Sequence, residues 1–131
     1  MDQDILARLQ KYFRSHPNVA MAFLFGSRAR ERTGPDSDVD LGVYFQPGYS
    51  RQDIYRTWNE LEDLLGKQVD LLVLNETAPL LAWTVLKGKR LLIRDFNFYL
   101  RYMLDISREA EDFQHFLLDW WRWRMKIKGA V

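Results

Sequence analysis

The residues best suited to chemistry lie in two short motifs, Gly26-Ser27 and Asp38-Val39-Asp40. Gly26 has no Cβ, so its backbone can approach a phosphate or take a positive φ. Ser27 offers a hydroxyl and a backbone N–H where a helix can begin, and helix N-termini favour anions. Arg28, Arg30 and Arg32 follow and can direct positive charge at a phosphate. In the second motif Asp38 and Asp40 share a face, because strand residues two apart point the same way. Carboxylates side by side repel, and each raises the other's proton affinity unless a cation lies between them. Hard oxygen ligands of this kind suit Mg²⁺. Taken singly, Gly-Ser also reads as an ordinary strand-to-turn junction and Asp-x-Asp as a solvated strand start; together the motifs propose a phosphate cradle facing a metal site.

Several elements must position these groups. Ala20–Phe25 is apolar at both side-chain parities and reads as a buried strand leading into Gly26. The basic segment after Ser27 can form a helical turn, Gly34-Pro35 turns the chain, and a second strand begins at Asp38, with Val39, Leu41 and Val43 pointing into the opposite layer. Upstream, Ile5, Leu6, Leu9, Tyr12 and Phe13 make one helical stripe over residues 2–15, which His16-Pro17-Asn18 stops. Downstream, Gln46-Pro47-Gly48 is a turn. A helix over Arg51–Leu65 then turns Ile54, Trp58, Leu61, Leu64 and Leu65 inward and ends at Gly66. Gln68–Leu74 reads as a strand, and Asp70 interrupts it. A charge there is costly unless paired or metal-bound; an exposed strand end beside Lys67 and a ligand role both account for it. Thr77–Lys87 reads as a helix ended by Gly88 and Leu91–Ile93 as a fourth short strand; Lys87, Lys89 and Arg90 between them fit a solvated turn, the leading reading, or a contribution to holding triphosphate.

From about Asn97 to Lys126 the pattern is helical, with an inner stripe of Leu100, Met103, Leu104, Ser107, Ala110, Phe113 and Leu117. Phe116, Trp120, Trp121 and Trp123 spread apolar surface around that helix, interleaved with Arg122, Arg124, Lys126 and Lys128. A partner interface, nucleic-acid stacking and a return to the core each fit this surplus; the interface leads because Trp and Arg concentrate at binding hot spots. The 131 residues make one domain, a core over 1–95 and a helical extension over 96–131. With 47% hydrophobic and 15% aromatic residues the chain is not disordered, and a net charge of +1 gives no bulk attraction to nucleic acid or anionic membrane. The absence of cysteine removes disulfides and zinc–thiolate sites and fits a cytoplasmic location. Neither a signal peptide nor a membrane span is evident.

Gly26-Ser27-Arg28-Ala29-Arg30, then ten spacer residues (28–37) between Ser27 and Asp38-Val39-Asp40-Leu41-Gly42-Val43, resembles the signature of the DNA polymerase β-like nucleotidyltransferases. Within them it is most similar to the minimal nucleotidyltransferase (MNT) antitoxins paired with HEPN-domain toxins. The resemblance covers residues 1 to about 95 and departs at Glu31, where the family usually carries Gly; that bears on the loop and phosphate affinity rather than on the fold. It implies an α/β fold, a small mixed β-sheet with helices packed on it, followed by a long C-terminal helix. It also implies a third carboxylate at Asp70, two Mg²⁺ ions held by Asp38, Asp40 and Asp70, and ATP bound with Gly26, Ser27, Arg28 and Arg30. The implied reaction is Mg-dependent transfer of AMP to a hydroxyl, a tyrosine of the HEPN toxin, which silences that RNase. The alternatives are a non-catalytic antitoxin that acts by binding, and a small-molecule nucleotidyltransferase resembling the aminoglycoside-modifying enzymes.

Overall fold

In the computed structural model, residues 2–26 and 38–128 are described; beyond Glu111 the described side chains are those of His115, Leu118 and Arg122. Four strands, β1 (Val19–Phe25), β2 (Val39–Phe45), β3 (Val69–Val73) and β4 (Lys89–Ile93), form one mixed sheet in the order β3-β2-β1-β4. β1 is antiparallel to β2 and β4, while β2 and β3 run parallel. A parallel pair requires a crossover, here α2 (Arg51–Leu65). The other helices are α1 (Asp2–Arg14), α3 (Pro79–Leu86), reached from β3 through a 3₁₀ turn at Leu74–Glu76, and α4 (Phe96–Lys128). The expected mixed α/β sheet and long last helix are both present.

Strand alternation divides the core into two layers. Val39, Leu41 and Val43 of β2 pack with Val69 and Leu71 of β3 against α1 and α2, through Ile5, Leu9, Phe13, Ile54 and Leu61. The other face carries Met21 and Phe23 of β1 against Ala82, Val85 and Leu86 of α3 and Tyr99 and Ile106 of α4. α2 begins on a capping box, with Ser50 accepting from the Asp53 N–H and Asp53 accepting from the Ser50 N–H. It ends at Gly66 in the left-handed region, φ 63°, which donates its N–H to the Glu62 carbonyl at 2.8 Å.

Two inward assignments are corrected. Leu64 lies on the rim of α2, 36% exposed, because the buried row is Ile54, Thr57, Leu61 and Leu65, one position away. Leu104 of α4 is 58% exposed. The sheet offers rings to α4: Tyr99 stacks on Phe23 at 6.0 Å, and Phe98 and Tyr102 meet Tyr44 edge-on at 5.0 and 5.4 Å. Those contacts rotate the helix so that Tyr99, Ile106 and Ala110 are buried and Leu104 turns outward. The side chains of Phe113, Leu117, Trp120, Trp121 and Trp123 lie outside the described residues.

α3 crosses β2 at a glycine. A Cβ on Gly42 would overlap Val85 Cγ1, so the absence of a side chain there sets how closely α3 approaches the sheet. Gly42→Ala should therefore destabilise the fold by about 1–3 kcal/mol, read as a lower midpoint in urea unfolding. Adding Val85→Ala should recover part of that loss if the overlap is its cause.

Candidate active site

β1 ends at Phe25, which pairs with Asp40 across the antiparallel ladder, and Gly26 follows in the left-handed region at φ 78°. A Cβ on Gly26 would overlap Asp40 Oδ2, so glycine is required here by both conformation and space. The end of the candidate cradle thus lies directly against the carboxylate of the second motif. Ser27, Arg28 and Arg30, with Arg32, Glu31 and the Gly34-Pro35 turn, lie outside the described residues.

The parallel register then brings in the third carboxylate. Asp40 pairs with Asp70, flanked by Val39 with Val69 and Leu41 with Leu71. Because both strands alternate in step, Asp40 and Asp70 occupy the face opposite the layer of Val39, Leu41, Val69 and Leu71. Asp38 stands one residue before β2 and is exposed, as is Asp70; Asp40 is half-buried. Of the two accounts of Asp70, this is an exposed strand position that also faces a second carboxylate. Burial, followed by the charge and hydrogen-bonding proximity of Asp70 and the charge of Asp38, raises the Asp40 pKa above its ordinary value. Only a proton or a cation relieves such a cluster.

The donor set consists of hard oxygens, as Mg²⁺ requires, and the repulsion at Asp40 is what a divalent ion would cancel. Among the described residues no group of three or more His, Cys, Asp or Glu side chains is already converged for a metal. Asp38, Asp40 and Asp70 therefore fit the ion in donor chemistry and charge, and would need side-chain adjustment to close on it. Among the described residues, cavities lie elsewhere: about 310 Å³ lined by Trp83, Ser107, Ala110 and Glu111, and about 250 Å³ at the opposite end of β2, where Tyr44, Gln46 and Arg94 are among the lining residues.

The remaining charged and aromatic candidates have structural partners. Lys87 Nζ sits 5.4 Å from the Trp83 ring centre and the Arg90 guanidinium 5.9 Å from that of Tyr99, while Lys89 pairs with Leu24 in the ladder. His16 bonds the Tyr12 carbonyl at 2.6 Å. Trp58 donates Nε1–H to the Val69 carbonyl at 2.6 Å, and Glu62, which sequence reading passed over, accepts the Val69 N–H at 3.0 Å. Glu62 carries no local signal beyond an exposed-type residue in the last turn of α2.

The sign of the Asp40 shift gives a stability prediction. The folded state binds this proton more tightly than the unfolded chain. The resulting stabilisation is fully present below the unfolded value of about 3.8 and is lost as pH rises through the raised folded value. In chelator at neutral pH, Asp40→Asn should raise the melting temperature by removing the ionised form. The gain should disappear as the buffer approaches about pH 4. An unchanged melting temperature at both pH values would show that Asp40 carries no electrostatic strain.

Residues 7–97 match the protein-family model described as "Polymerase beta, Nucleotidyltransferase". A Methanocaldococcus jannaschii protein named "Putative protein adenylyltransferase" is 46% identical over 63 residues, covering 48% of this chain and 68% of that protein. Among solved structures, a toxin–antitoxin complex with AMP-PNP contains a chain that superposes with TM-score 0.67 at 18% identity over the whole of both chains. A complex of tri-AMPylated Shewanella oneidensis HEPN toxin with MNT antitoxin gives TM-score 0.66 at 20% identity, again over both full chains. At these identities the superpositions establish the fold.

Proposed function

Because the chain belongs to the polymerase β nucleotidyltransferase family, we propose that it transfers AMP from ATP to a hydroxyl, that of a tyrosine, on a partner HEPN-domain toxin and thereby neutralises it. The observation that carries this reading is the desolvated Asp40 held between Gly26 and Asp70. The adenylyltransferase name of the archaeal relative and the AMPylated toxin of the structural neighbour support the donor and the acceptor class.

In this reaction the acceptor oxygen bonds to the α-phosphorus of ATP, the bond to the bridging oxygen breaks, and pyrophosphate departs. Gly26 lets the backbone approach the phosphates, with Ser27, Arg28 and Arg30 completing that cradle. Asp38, Asp40 and Asp70 would hold Mg²⁺, which supplies charge neutralisation at the phosphates and acidifies the acceptor hydroxyl. Asp70 is more exposed than Asp40 and is assigned here to the acceptor side. Its carboxylate oxygen receives the hydroxyl proton and passes it to water.

A partner also suits the outer surface of α4. Leu104 and Leu118, 58% and 52% exposed, lie fourteen residues apart and so fall on nearly the same side of the helix. No helix among the described residues is long and apolar enough to cross a membrane. The encounter with the toxin is placed in the cytoplasm as part of the proposal.

The test offers labelled ATP and Mg²⁺ to the HEPN partner, and in parallel to a panel of small hydroxylated compounds. Label should enter a tyrosine of the partner, and Asp38→Asn or Asp40→Asn should slow transfer by about 100-fold or more. Wild-type transfer by both variants would remove the carboxylates from the mechanism. Protection from the toxin by inactive variants would instead establish neutralisation by binding alone. Label confined to a small compound would move the acceptor out of the protein class.

A further inference from the structure

Among the described residues β3 is an edge strand, with β2 as its one strand neighbour. In its parallel ladder Val39 donates its N–H to the Gln68 carbonyl at 3.1 Å, so Gln68 and Asp70 turn their backbone groups toward β2 and Val69 turns its own away. An outward N–H and C=O at a sheet edge normally fall to water. At Val69 they do not. The N–H donates to Glu62 Oε2 at 3.0 Å, and the C=O accepts from Trp58 Nε1 at 2.6 Å. Both partners project from α2, four residues apart and therefore on one face. α2 is itself fixed by its capping box and by the Gly66 N–H on the Glu62 carbonyl. Glu62 thus closes the α2–β3 connection twice, through its carbonyl to Gly66 and through its carboxylate to Val69.

We propose that Glu62 and Trp58 are positioning residues for the Asp70 carboxylate, holding the backbone of the residue before it from both sides so that Asp70 stays in register with Asp40. The proposal rests on the assignment of Asp70 to the proposed transfer site. General protection of a sheet edge is a weaker account. Two residues on, the Leu71 N–H on the same edge has no partner among the described residues, so the clamp is local to the start of the strand. The Val69 side chain is also only 2% exposed, which leaves Asp70 as the first residue of β3 free to face the site. Partners bonded directly to a ligand are worth roughly 10–100-fold in metal affinity or activity, and a clamp one residue away belongs at the lower end of that range.

The experiment measures Mn²⁺ affinity by electron paramagnetic resonance in the presence of a non-hydrolysable ATP analogue, alongside transfer kinetics and thermal unfolding. Glu62→Ala and Trp58→Phe should each weaken Mn²⁺ binding about tenfold and raise by a similar factor the Mg²⁺ concentration for half-maximal transfer. Glu62→Gln, which keeps an acceptor oxygen for the Val69 N–H, should restore both. Asp63→Ala, next to Glu62 but exposed, should leave both unchanged. Asp70→Asn separates the two ideas. If it loses Mn²⁺ and transfer while Glu62→Ala and Trp58→Phe behave like wild type, the clamp is refuted and Asp70 stands. If Asp70→Asn itself behaves like wild type, the assignment of Asp70 falls and the clamp with it. Should Glu62→Ala melt below the assay temperature, Trp58→Phe and the Glu62→Gln rescue still decide the matter. A loss shared equally by Asp63→Ala would mark a general effect of α2 and overturn the proposal.

Discussion

Two carboxylates facing each other across parallel strands form the constraint on which this architecture turns. Asp40 and Asp70 are register partners, and nothing about their mutual charge favours that pairing. The energy that imposes it comes from the opposite face of the same strands. Val39, Leu41, Val43, Val69 and Leu71 are buried together against α1 and α2, and a slip of one residue would expose all of one strand's share. Burial of a side chain of this size is worth about 1.5–3 kcal/mol, so the apolar layer outweighs the repulsion it enforces. The strands therefore work as two-sided devices, stable on one face and electrostatically loaded on the other.

The loaded face is also the crowded one. α3 passes over β2 where Gly42 has no side chain, and its exit turn presses on the end of β1, where a Cβ on Gly88 would overlap the Leu24 carbonyl. Gly26 then approaches Asp40 with equal intimacy. Three positions without Cβ atoms thus bring α3, the end of β1 and the carboxylates into one compact corner. Close packing shields part of Asp40 from water while leaving Asp38 and Asp70 exposed. That asymmetry gives one carboxylate an elevated proton affinity within a cluster still open to a ligand.

Much of this was legible because periodicity and chemistry agreed. The continuous apolar run before Gly26, the Asp-x-Asp alternation and the Arg51–Leu65 helix ending at Gly66 each have local causes, and the structure keeps their boundaries almost unchanged. Asp70 was visible only as an anomaly, since the parallel pairing that sets it beside Asp40 is a property of the crossover. What sequence concealed was long-range. Arg94 bonds the carbonyls of Val19, Phe13 and His16, at 2.7, 2.6 and 2.9 Å, from the far side of the chain. Asn75 exchanges two hydrogen bonds with the Phe45 backbone and extends the sheet without a strand. Leu64 and Leu104 were placed inward because helical periodicity fixes the width of an apolar stripe, not the rotation that Thr57 or the Tyr44 and Phe23 rings select.

α4 carries exposed apolar side chains on which association can begin. Its first turns are anchored by Tyr99, Ile106 and Ala110, and the helix continues unbroken to Lys128. At 1.5 Å per residue the eighteen residues past Ala110 extend about 27 Å. A segment of that length is only marginally helical in water on its own, and most helical stability in proteins comes from packing an apolar face. Leu118 on this segment is 52% exposed, and Leu104 displays apolar surface on the same side nearer the core. Under the proposed function a docked toxin covers that face and delivers its hydroxyl to the exposed Asp70 side of the cluster. Leu104 and Leu118 then gain apolar cover, and the transfer site gains the wall that positions its acceptor.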